Sequence, residues 1–204
     1  MTRILLARHG ETDWNREGRW QGHSDQPLNA TGIAQAKALG RRLAGEKLDA
    51  VYASDLRRAT ETAADVTRET GLQAILTPGL REVDVGDLAG LDRAEAGRRY
   101  PEWYTQWREG TDDRYPGGER FADLHKRALA AFDRIADRHA GGTAVAVCHN
   151  GIIRAIVLHV LGLGAHERRR IASGPNGALT VVERQRGRTV LVSLNDSGHL
   201  EHLV

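Results

Sequence analysis

Short apolar runs alternate with stretches of helical periodicity along this 204-residue chain. The runs lie between polar or glycine-containing segments, which is the pattern of buried strands. They predict strands at residues 3–7, 50–54, 73–76, 143–148, 179–183 and 189–194. The last two follow each other closely enough to form a hairpin.

Helical spacing follows several of these strands. The small and apolar positions of three predicted helices are Ile33, Ala36, Gly40 and Leu43; Leu56, Ala59, Ala63 and Val66; and Phe121, Leu124, Ala128, Phe132 and Ile135. Asn29 is placed to cap the first helix and Gly71 to end the second. A further apolar helix is predicted from Ile152 to Leu161.

This alternation predicts an α/β fold, a three-layer α/β/α sandwich with a mostly parallel central sheet. The length and composition fit one domain over residues 1–204. Ligands of such sheets bind beyond the carboxyl ends of the strands. The strand ends are therefore where candidate functional residues belong.

Residues 82–118, called the insertion below, differ from the rest of the chain. They hold Gly, Pro and most of the aromatic residues: Tyr100, Trp103, Tyr104, Trp107 and Tyr115. We expect helices and loops here that form a lid over the carboxyl ends of the strands. The stretch from Trp103 to Trp107 has two interpretations, lining a substrate pocket or packing the insertion onto the sheet.

Charge and composition exclude several classes of protein. Twenty-nine Lys and Arg against 27 Asp and Glu leave a formal charge of +2, and no basic run indicates nucleic-acid binding. A single cysteine, Cys148, cannot form an intrachain disulfide, which fits a reducing compartment. No segment approaches the ~20 apolar residues of a membrane helix. We therefore expect a cytoplasmic protein without membrane or nucleic-acid partners.

Basic side chains follow three of the predicted strands. Arg8 and His9 come after the first, Arg57 and Arg58 after the second, and His149 after the strand at 143–148. Because the ends of parallel strands converge, these groups predict a common pocket. Guanidinium groups fork onto phosphate oxygens and imidazole serves as donor or nucleophile, so the pocket suits a dianionic phosphate.

Five sequence blocks, spread over nearly the whole chain, resemble the histidine phosphatase superfamily, which includes the cofactor-dependent phosphoglycerate mutases. They begin at Arg8-His9-Gly10, at Ser54, at Arg81-Glu82, at Pro116 and at Val147, and they occur in the family's order. The stretch from Leu194 to Leu200 also resembles the C-terminal strand of many phosphatase members.

The resemblance implies a catalytic role for five residues. His9 would be the nucleophile that attacks phosphorus, while Arg8, Arg58 and His149 would hold the phosphoryl oxygens. Glu82 would protonate the leaving oxygen and then activate water. A covalent intermediate splits one difficult step into two, and neutral imidazole is a good nucleophile near neutral pH.

The resemblance also implies phosphate or substrate contacts from residues beside these. Asn15, Gln21 and Gly22 lie where members of the family place such contacts. Asn150 stands where many relatives have glycine after the second histidine. Asparagine tolerates left-handed backbone better than most residues, so we expect the turn to persist with altered contacts.

Three choices among neighbouring residues need separate reasons. Arg57 and Arg58 point about 100° apart on a helix, and Arg58 holds the motif position. Glu82 competes with Asp84 for the role of acid, and motif position favours Glu82. Cys148, at the end of an apolar strand, is predicted to pack rather than to react.

We therefore predict a phosphatase that acts on small phosphorylated metabolites. The first alternative is a cofactor-dependent phosphoglycerate mutase, although the insertion lacks the basic, proline-rich segment of the mutases. The second is a non-catalytic phospho-ligand binding protein, because fold does not fix function. No cluster has metal-ligand spacing, so we expect neither metal nor cofactor. Dimers are common in the family, which suggests a homodimer.

Overall fold

The computed structural model describes residues 1–203 and contains a six-stranded central sheet. The strands are β1 (Thr2–Arg8), β2 (Ala50–Ala53), β3 (Ala74–Leu76), β4 (Thr143–Cys148), β5 (Leu179–Gln185) and β6 (Arg188–Asp196). Their order is β3-β2-β4-β1-β5-β6. The first four are mutually parallel, while β5 and β6 are antiparallel and form the predicted hairpin.

Helices cover both faces of the sheet, which confirms the three-layer sandwich. They are α1 (Asp13–Arg16), α2 (Ala30–Ala44), α3 (Arg57–Thr70), α4 (Arg93–Arg99), α5 (Pro101–Glu109), α6 (Phe121–Arg138) and α7 (Asn150–Val160). Short 3₁₀ turns occupy Pro78–Leu80, Gly86–Leu88, Ala165–Arg170 and Gly198–Leu203. In the described part of the chain, no helix is both long and apolar enough to cross a bilayer.

Each central strand contributes alternate side chains to two separate cores. In β1, Leu5 and Ala7 pack with α2 and α3, whereas Ile4 and Leu6 pack with α6 and α7. A strand buried on both faces must be apolar at every position, which explains the continuous run in the sequence. Tyr52 of β2 belongs to the α6 side.

The helix termini largely follow the sequence signals. Asn29 caps α2 by accepting a hydrogen bond from the Gly32 amide, and Gly71 ends α3 in the left-handed conformation. Of the four positions at helical spacing in α2, Ala36, Gly40 and Leu43 are buried, whereas Ile33 is exposed.

The ends of three adjacent parallel strands are held in register at one edge of the sheet. The His9 amide donates to the Cys148 carbonyl at 3.0 Å, and the Ser54 amide donates to the Val147 carbonyl at 2.9 Å. These bonds continue the β1–β4 and β2–β4 ladders by one residue. The polar groups that follow β1, β2 and β4 are therefore brought to one place.

Candidate active site

His9 lies directly after β1 and is 3% exposed. Its Nδ1 is 2.7 Å from the Gly10 carbonyl oxygen. A carbonyl can only accept, so Nδ1 carries the hydrogen, and Nε2 of the neutral ring holds the free lone pair. The backbone carbonyl of His9 in turn accepts from the Asn176 amide group at 3.0 Å. The ring and its backbone are thus fixed with Nε2 available for reaction.

The surroundings of His9 keep its imidazole neutral. Its pKa lies well below the usual 6.5, first because burial removes the ring from water. The positive charges of Arg58 and Arg8 act in the same direction. A neutral imidazole retains its nucleophilic lone pair even in mildly acidic solution.

Arg8 and Arg58 are held by backbone carbonyls rather than by carboxylates. Arg8 donates to the Gly174 carbonyl, and Arg58 donates to the carbonyls of Gly22 at 2.8 Å and Ser24 at 2.9 Å. The Nε atoms of both are buried and have no partner among the described residues. Burial also lowers both pKa values, that of Arg58 to about 10. Both guanidinium groups retain donors for an incoming anion.

His149 follows β4 and is completely buried against His9. The centroids of the two imidazole rings are 5.0 Å apart. Its Nε2 is hydrogen-bonded to the Ser54 hydroxyl at 2.9 Å, and its Nδ1 is buried without a partner in the described chain. Its pKa is well below the usual value, chiefly through burial and then through the charge of Arg58. His149 is not among the residues that line the cavity, but its ring lies against that of His9.

Glu82 lies in the loop before the Gly86–Leu88 turn, and its carboxylate lines the same cavity. One oxygen accepts from the Val83 amide at 2.8 Å, and the other accepts from the Gly151 amide at 3.1 Å. Gly151 belongs to the first turn of α7, where free amides and the helix dipole favour negative charge. A side chain at Gly151 would collide with Glu82, because a Cβ there would lie 2.1 Å from a carboxylate oxygen.

A clamp from α6 positions the loop that carries Glu82. Arg127 donates to the carbonyl oxygens of Arg81 at 2.6 Å and of Glu82 at 2.7 Å. Glu119 pairs with Arg127 at 2.8 Å and accepts from the Asp84 amide. Glu119 is the last residue of the sequence block that begins at Pro116. The role of that block in the structure is therefore to hold Arg127 and, through it, the loop of Glu82.

Asn15, Gln21 and Gly22 all lie on the cavity wall. The side-chain oxygen of Asn15 accepts from the Thr12 amide and from Asn176, both at 3.2 Å, so only its N–H donors remain for a ligand. The side-chain oxygen of Gln21 is buried without a partner in the described residues. Gly22 has φ of +51°, and its carbonyl holds Arg58.

Asn150 also lines the cavity, but its backbone is not what the sequence suggested. It is the first residue of α7 and has right-handed helical geometry; the described non-glycine residues with positive φ are Arg186 and Asn195. Our argument from left-handed tolerance was therefore wrong. The chain after the N-cap residue His149 turns directly into a helix, so Asn150 adopts ordinary helical geometry.

The structure separates the residues between which the sequence left a choice. Arg57 faces outward and pairs with Glu61 at 2.7 Å, whereas Arg58 is almost fully buried on the cavity. Asp84 caps the Gly86 amide at 3.0 Å and does not line the cavity. Cys148 is fully buried in the core beneath α6 and α7, and burial raises the pKa of its thiol.

The cavity has a volume of about 490 Å³ and is bounded on one side by the insertion. Trp107 lines it, whereas Trp103 packs in the core and donates to the Arg114 carbonyl at 2.7 Å. Each of the two interpretations of this stretch therefore applies to one tryptophan. No three His, Cys, Asp or Glu side chains within residues 1–203 are grouped to hold a metal ion.

Our sequence reasoning missed several arginines that line the cavity. They are Arg19, Arg93, Arg154, Arg168 and Arg169. The only local signal was the run of three arginines at 168–170. Such a run is usually a solvated surface, and nothing in the sequence shows that Arg168 is buried while Arg170 is exposed.

Comparison with known proteins extends these observations. The model of the histidine phosphatase superfamily (branch 1) matches residues 4–197. The metal-independent phosphoserine phosphatase of Arabidopsis thaliana is 35% identical over 98% of this chain and 84% of its own. Phosphoglycerate mutase-like protein 4 of the same plant is 43% identical over 75% of this chain and 68% of its own. The structure of Bacillus stearothermophilus YhfR superposes with a TM-score of 0.92 at 31% identity, covering 98% of this chain and all of the other.

Proposed function

The chain belongs to the histidine phosphatase superfamily (branch 1), and on that premise we propose that it hydrolyses small phosphorylated metabolites through a phosphohistidine on His9. Its relatives place it among the phosphoric monoester hydrolases. The observation that carries the proposal is the orientation of His9. A neutral ring held through Nδ1 leaves Nε2 free, next to the charges of Arg8 and Arg58, which bond to backbone carbonyls and have no carboxylate within 4.0 Å among residues 1–203.

In the first step, Nε2 of His9 attacks phosphorus while the bond from phosphorus to the leaving oxygen breaks. Arg8 and Arg58 neutralise the charge on the equatorial oxygens, which is the main demand of phosphoryl transfer. Nδ1 of His149 has no partner among the described residues. When the Ser54 hydroxyl donates to Nε2, Nδ1 carries the hydrogen and can donate to a phosphoryl oxygen bound beside His9. The amides of the first turn of α7 add a favourable field.

Glu82 completes both steps by moving one proton. Its carboxyl group gives a proton to the leaving oxygen, so that an alcohol rather than an alkoxide departs. Its carboxylate then takes a proton from water as the water oxygen attacks the phosphohistidine. The bond between phosphorus and Nε2 breaks, inorganic phosphate leaves, and His9 returns to the neutral state. Arg127 and Glu119 are positioning residues, because they hold the loop and not the substrate.

The cavity volume suits a small metabolite, since small-molecule sites commonly enclose some hundreds of Å³. A mutase uses the same phosphohistidine but returns the phosphoryl group to a substrate oxygen. The identity to a mutase-like protein keeps this as the second candidate. The two are separated by whether water or substrate receives the phosphoryl group.

The test is release of phosphate from p-nitrophenyl phosphate in EDTA by wild type and by His9→Ala. We expect wild-type turnover and a loss of at least 10³-fold in the variant, because without Nε2 no covalent intermediate forms. His166→Ala, at an exposed position away from the cavity, serves as the matched control and should retain wild-type turnover.

A rapid quench with ³²P-labelled substrate identifies the intermediate. Phosphohistidine survives alkali and is lost in acid, so we expect an alkali-stable label in wild type and none in His9→Ala. Turnover by His9→Ala at more than a tenth of the wild-type rate would contradict the assignment. Isomerisation of 3-phosphoglycerate without phosphate release would indicate the mutase, and binding without turnover would indicate a phospho-ligand binding protein.

A further inference from the structure

The cavity carries more positive charge than a single phosphoryl group requires. Seven arginines line it against one carboxylate, that of Glu82, although the whole chain has a formal charge of only +2. Arg8 and Arg58 flank His9, and Arg19 is paired with Glu17 and Glu95. The remaining four have no carboxylate within 4.0 Å among residues 1–203: Arg93, Arg154, Arg168 and Arg169.

Arg154 lies on the same cavity wall as Arg8, at the proposed phosphoryl end. It lies one turn along α7 from Asn150, about 6 Å further from the strand end. It donates to the Ile171 carbonyl at 3.2 Å and to the Ser173 hydroxyl at 3.0 Å. The next residue, Gly174, accepts from Arg8. One short segment, residues 171–174, therefore holds both guanidinium groups on the same wall.

Arg168 is buried with an unused donor. It is 4% exposed, donates to the Asp112 carbonyl at 2.8 Å, and lies 5.7 Å above the centre of the Phe121 ring. Its Nη1 is buried and has no hydrogen-bond partner among the described residues. A buried charged N–H without an acceptor is costly, and an anion bound in the cavity would supply the missing acceptor.

The insertion is in direct contact with two of these arginines, since Arg168 donates to the Asp112 carbonyl and Arg169 contacts Trp107. The guanidinium of Arg169 lies 4.5 Å above the Trp107 ring and donates to the Trp107 carbonyl. Burial is the main cause of the lowered pKa of Arg154, and the charges of Arg168 and Arg169 lower it further. Arg154 and Arg168 are therefore shielded from water, close to the exposed Arg169, and without a carboxylate within 4.0 Å among residues 1–203.

We propose that Arg154 and Arg168 form a subsite for a second anionic group, a carboxylate or a phosphate, carried by the leaving group of the substrate. The inference rests on the proposed function, because it is the in-line geometry at His9 that orients the substrate. His9 is at the buried end of the cavity, so the leaving oxygen opposite Nε2 faces the mouth. The leaving group then lies along the wall that carries the two arginines.

The test compares substrates that differ by one anionic group. O-phosphoserine and O-phosphoethanolamine share the phosphate and the amine, and only the first has a carboxylate. Fructose 1,6-bisphosphate and fructose 6-phosphate differ by a second phosphate. In at least one of the two pairs, we expect wild-type kcat/KM to be at least tenfold higher for the member that carries a second anionic group. The pair that shows the preference identifies the anion.

Arg154→Met and Arg168→Met should abolish that preference. Each should raise KM for the substrate with the second anionic group about tenfold or more, because charge-assisted hydrogen bonds to that group are lost. The fall in kcat/KM should be at least tenfold larger for the substrate with the second anionic group than for its partner without it. Arg168→Lys should restore part of the preference. Arg170→Met is the matched control, because Arg170 is exposed on the same turn and pairs with Glu167. It should keep the full preference.

Two results would overturn the subsite. One is a wild type that turns over both members of each pair equally. The other is an equal loss on both substrates in Arg168→Met, which indicates a structural role; thermal melting of each variant identifies simple unfolding. If wild type hydrolyses neither these four esters nor p-nitrophenyl phosphate, the proposed function fails instead. Calorimetric titration with O-phosphoserine and O-phosphoethanolamine then tests the subsite by affinity alone.

Discussion

At the scale of single residues, the site depends on which atom of each side chain is already occupied. The Nδ1 of His9 is used by the Gly10 carbonyl, which selects Nε2 for chemistry. Arg8 and Arg58 donate some of their N–H groups to backbone carbonyls, while their Nε atoms have no partner among the described residues. Glu82 accepts two amide hydrogens, from Val83 and Gly151. Orientation, and not the presence of these residue types alone, makes the arrangement suitable for phosphoryl transfer.

The proposed role of Glu82 predicts a dependence on the leaving group. Glu82→Gln should lower kcat/KM about 10²–10⁴-fold for glycerol phosphate, whose alkoxide needs a proton, because that is the usual contribution of general acid catalysis. For p-nitrophenyl phosphate, whose phenolate leaves unprotonated, the loss in the first step should be under tenfold. Steady-state kinetics with both esters measures the difference.

Asp84→Asn is the matched control for that experiment. Asp84 caps the Gly86 amide through one oxygen, and asparagine keeps an acceptor there, so both substrates should react near the wild-type rate. Equal slowing of the two esters in Glu82→Gln, or the leaving-group pattern in Asp84→Asn, would show that the acid is not Glu82.

At the scale of elements, the loop after β1 is fastened to α2. The Glu11 carbonyl accepts from the Asn29 amide at 2.9 Å, and the Glu11 amide donates to the Gln35 side chain at 2.8 Å. Gly32 permits this approach, since a Cβ there would lie 2.0 Å from the Glu11 carbonyl oxygen. The first turn of α2 therefore sets the position of the loop that begins with His9.

Gly32→Ala should displace this loop and with it the nucleophile. We expect a loss of about 1–3 kcal/mol in the free energy of unfolding from overpacking and at least a tenfold fall in kcat. Urea unfolding and turnover of p-nitrophenyl phosphate measure the two effects. Gly45, at the other end of α2, has φ of −84° and open space where a Cβ would lie. Gly45→Ala should therefore lower neither the free energy of unfolding nor kcat. Wild-type behaviour of Gly32→Ala would contradict the argument.

At the scale of the whole molecule, the sheet brings distant parts of the chain to one edge. β4 lies between β1 and β2, so His149 comes to rest against His9 although 140 positions separate them. The insertion and α7 then enclose these groups and remove them from water. Location in the cytoplasm, the homodimer and the absence of a metal and cofactor stay predictions.

Burial of His9 and His149 predicts a stability that falls in acid. Both pKa values are below 6.5 in the folded state, so the unfolded chain binds protons more readily. Their contribution is intact above the unfolded pKa and is lost as pH falls from about 6.5 towards the folded values. Each histidine contributes a slope of up to about 1.4 kcal/mol per pH unit in that range.

His9→Asn tests this linkage, because the asparagine amide replaces the Nδ1 donor without a titrating group. Urea unfolding between pH 7.5 and pH 5 should show a shallower decline of the free energy of unfolding in the variant than in wild type. Identical slopes would mean that the pKa of His9 does not differ between the folded and unfolded states, and would contradict the prediction.

Local sequence determined much of this protein. Apolar runs specify the buried central strands, and Asn29 and Gly71 mark helix ends through backbone chemistry. The blocks at Arg8, Arg58, Glu82 and His149 identified the family and the candidate site, because each lies at the end of a strand or in the loop above it.

Tertiary structure alone decided the rest, because burial and hydrogen-bond partners arise from residues far apart in the chain. Only folding buries Arg168 and exposes Arg170, two positions away in the same run. Only folding brings Arg127 to the loop of Glu82 and starts α7 at Asn150. The sequence therefore determined the residues of the proposed phosphoryl end of the cavity, because its motifs are local. The arginines of the proposed leaving-group end could be recognised only in the packed structure, because they come together only on folding.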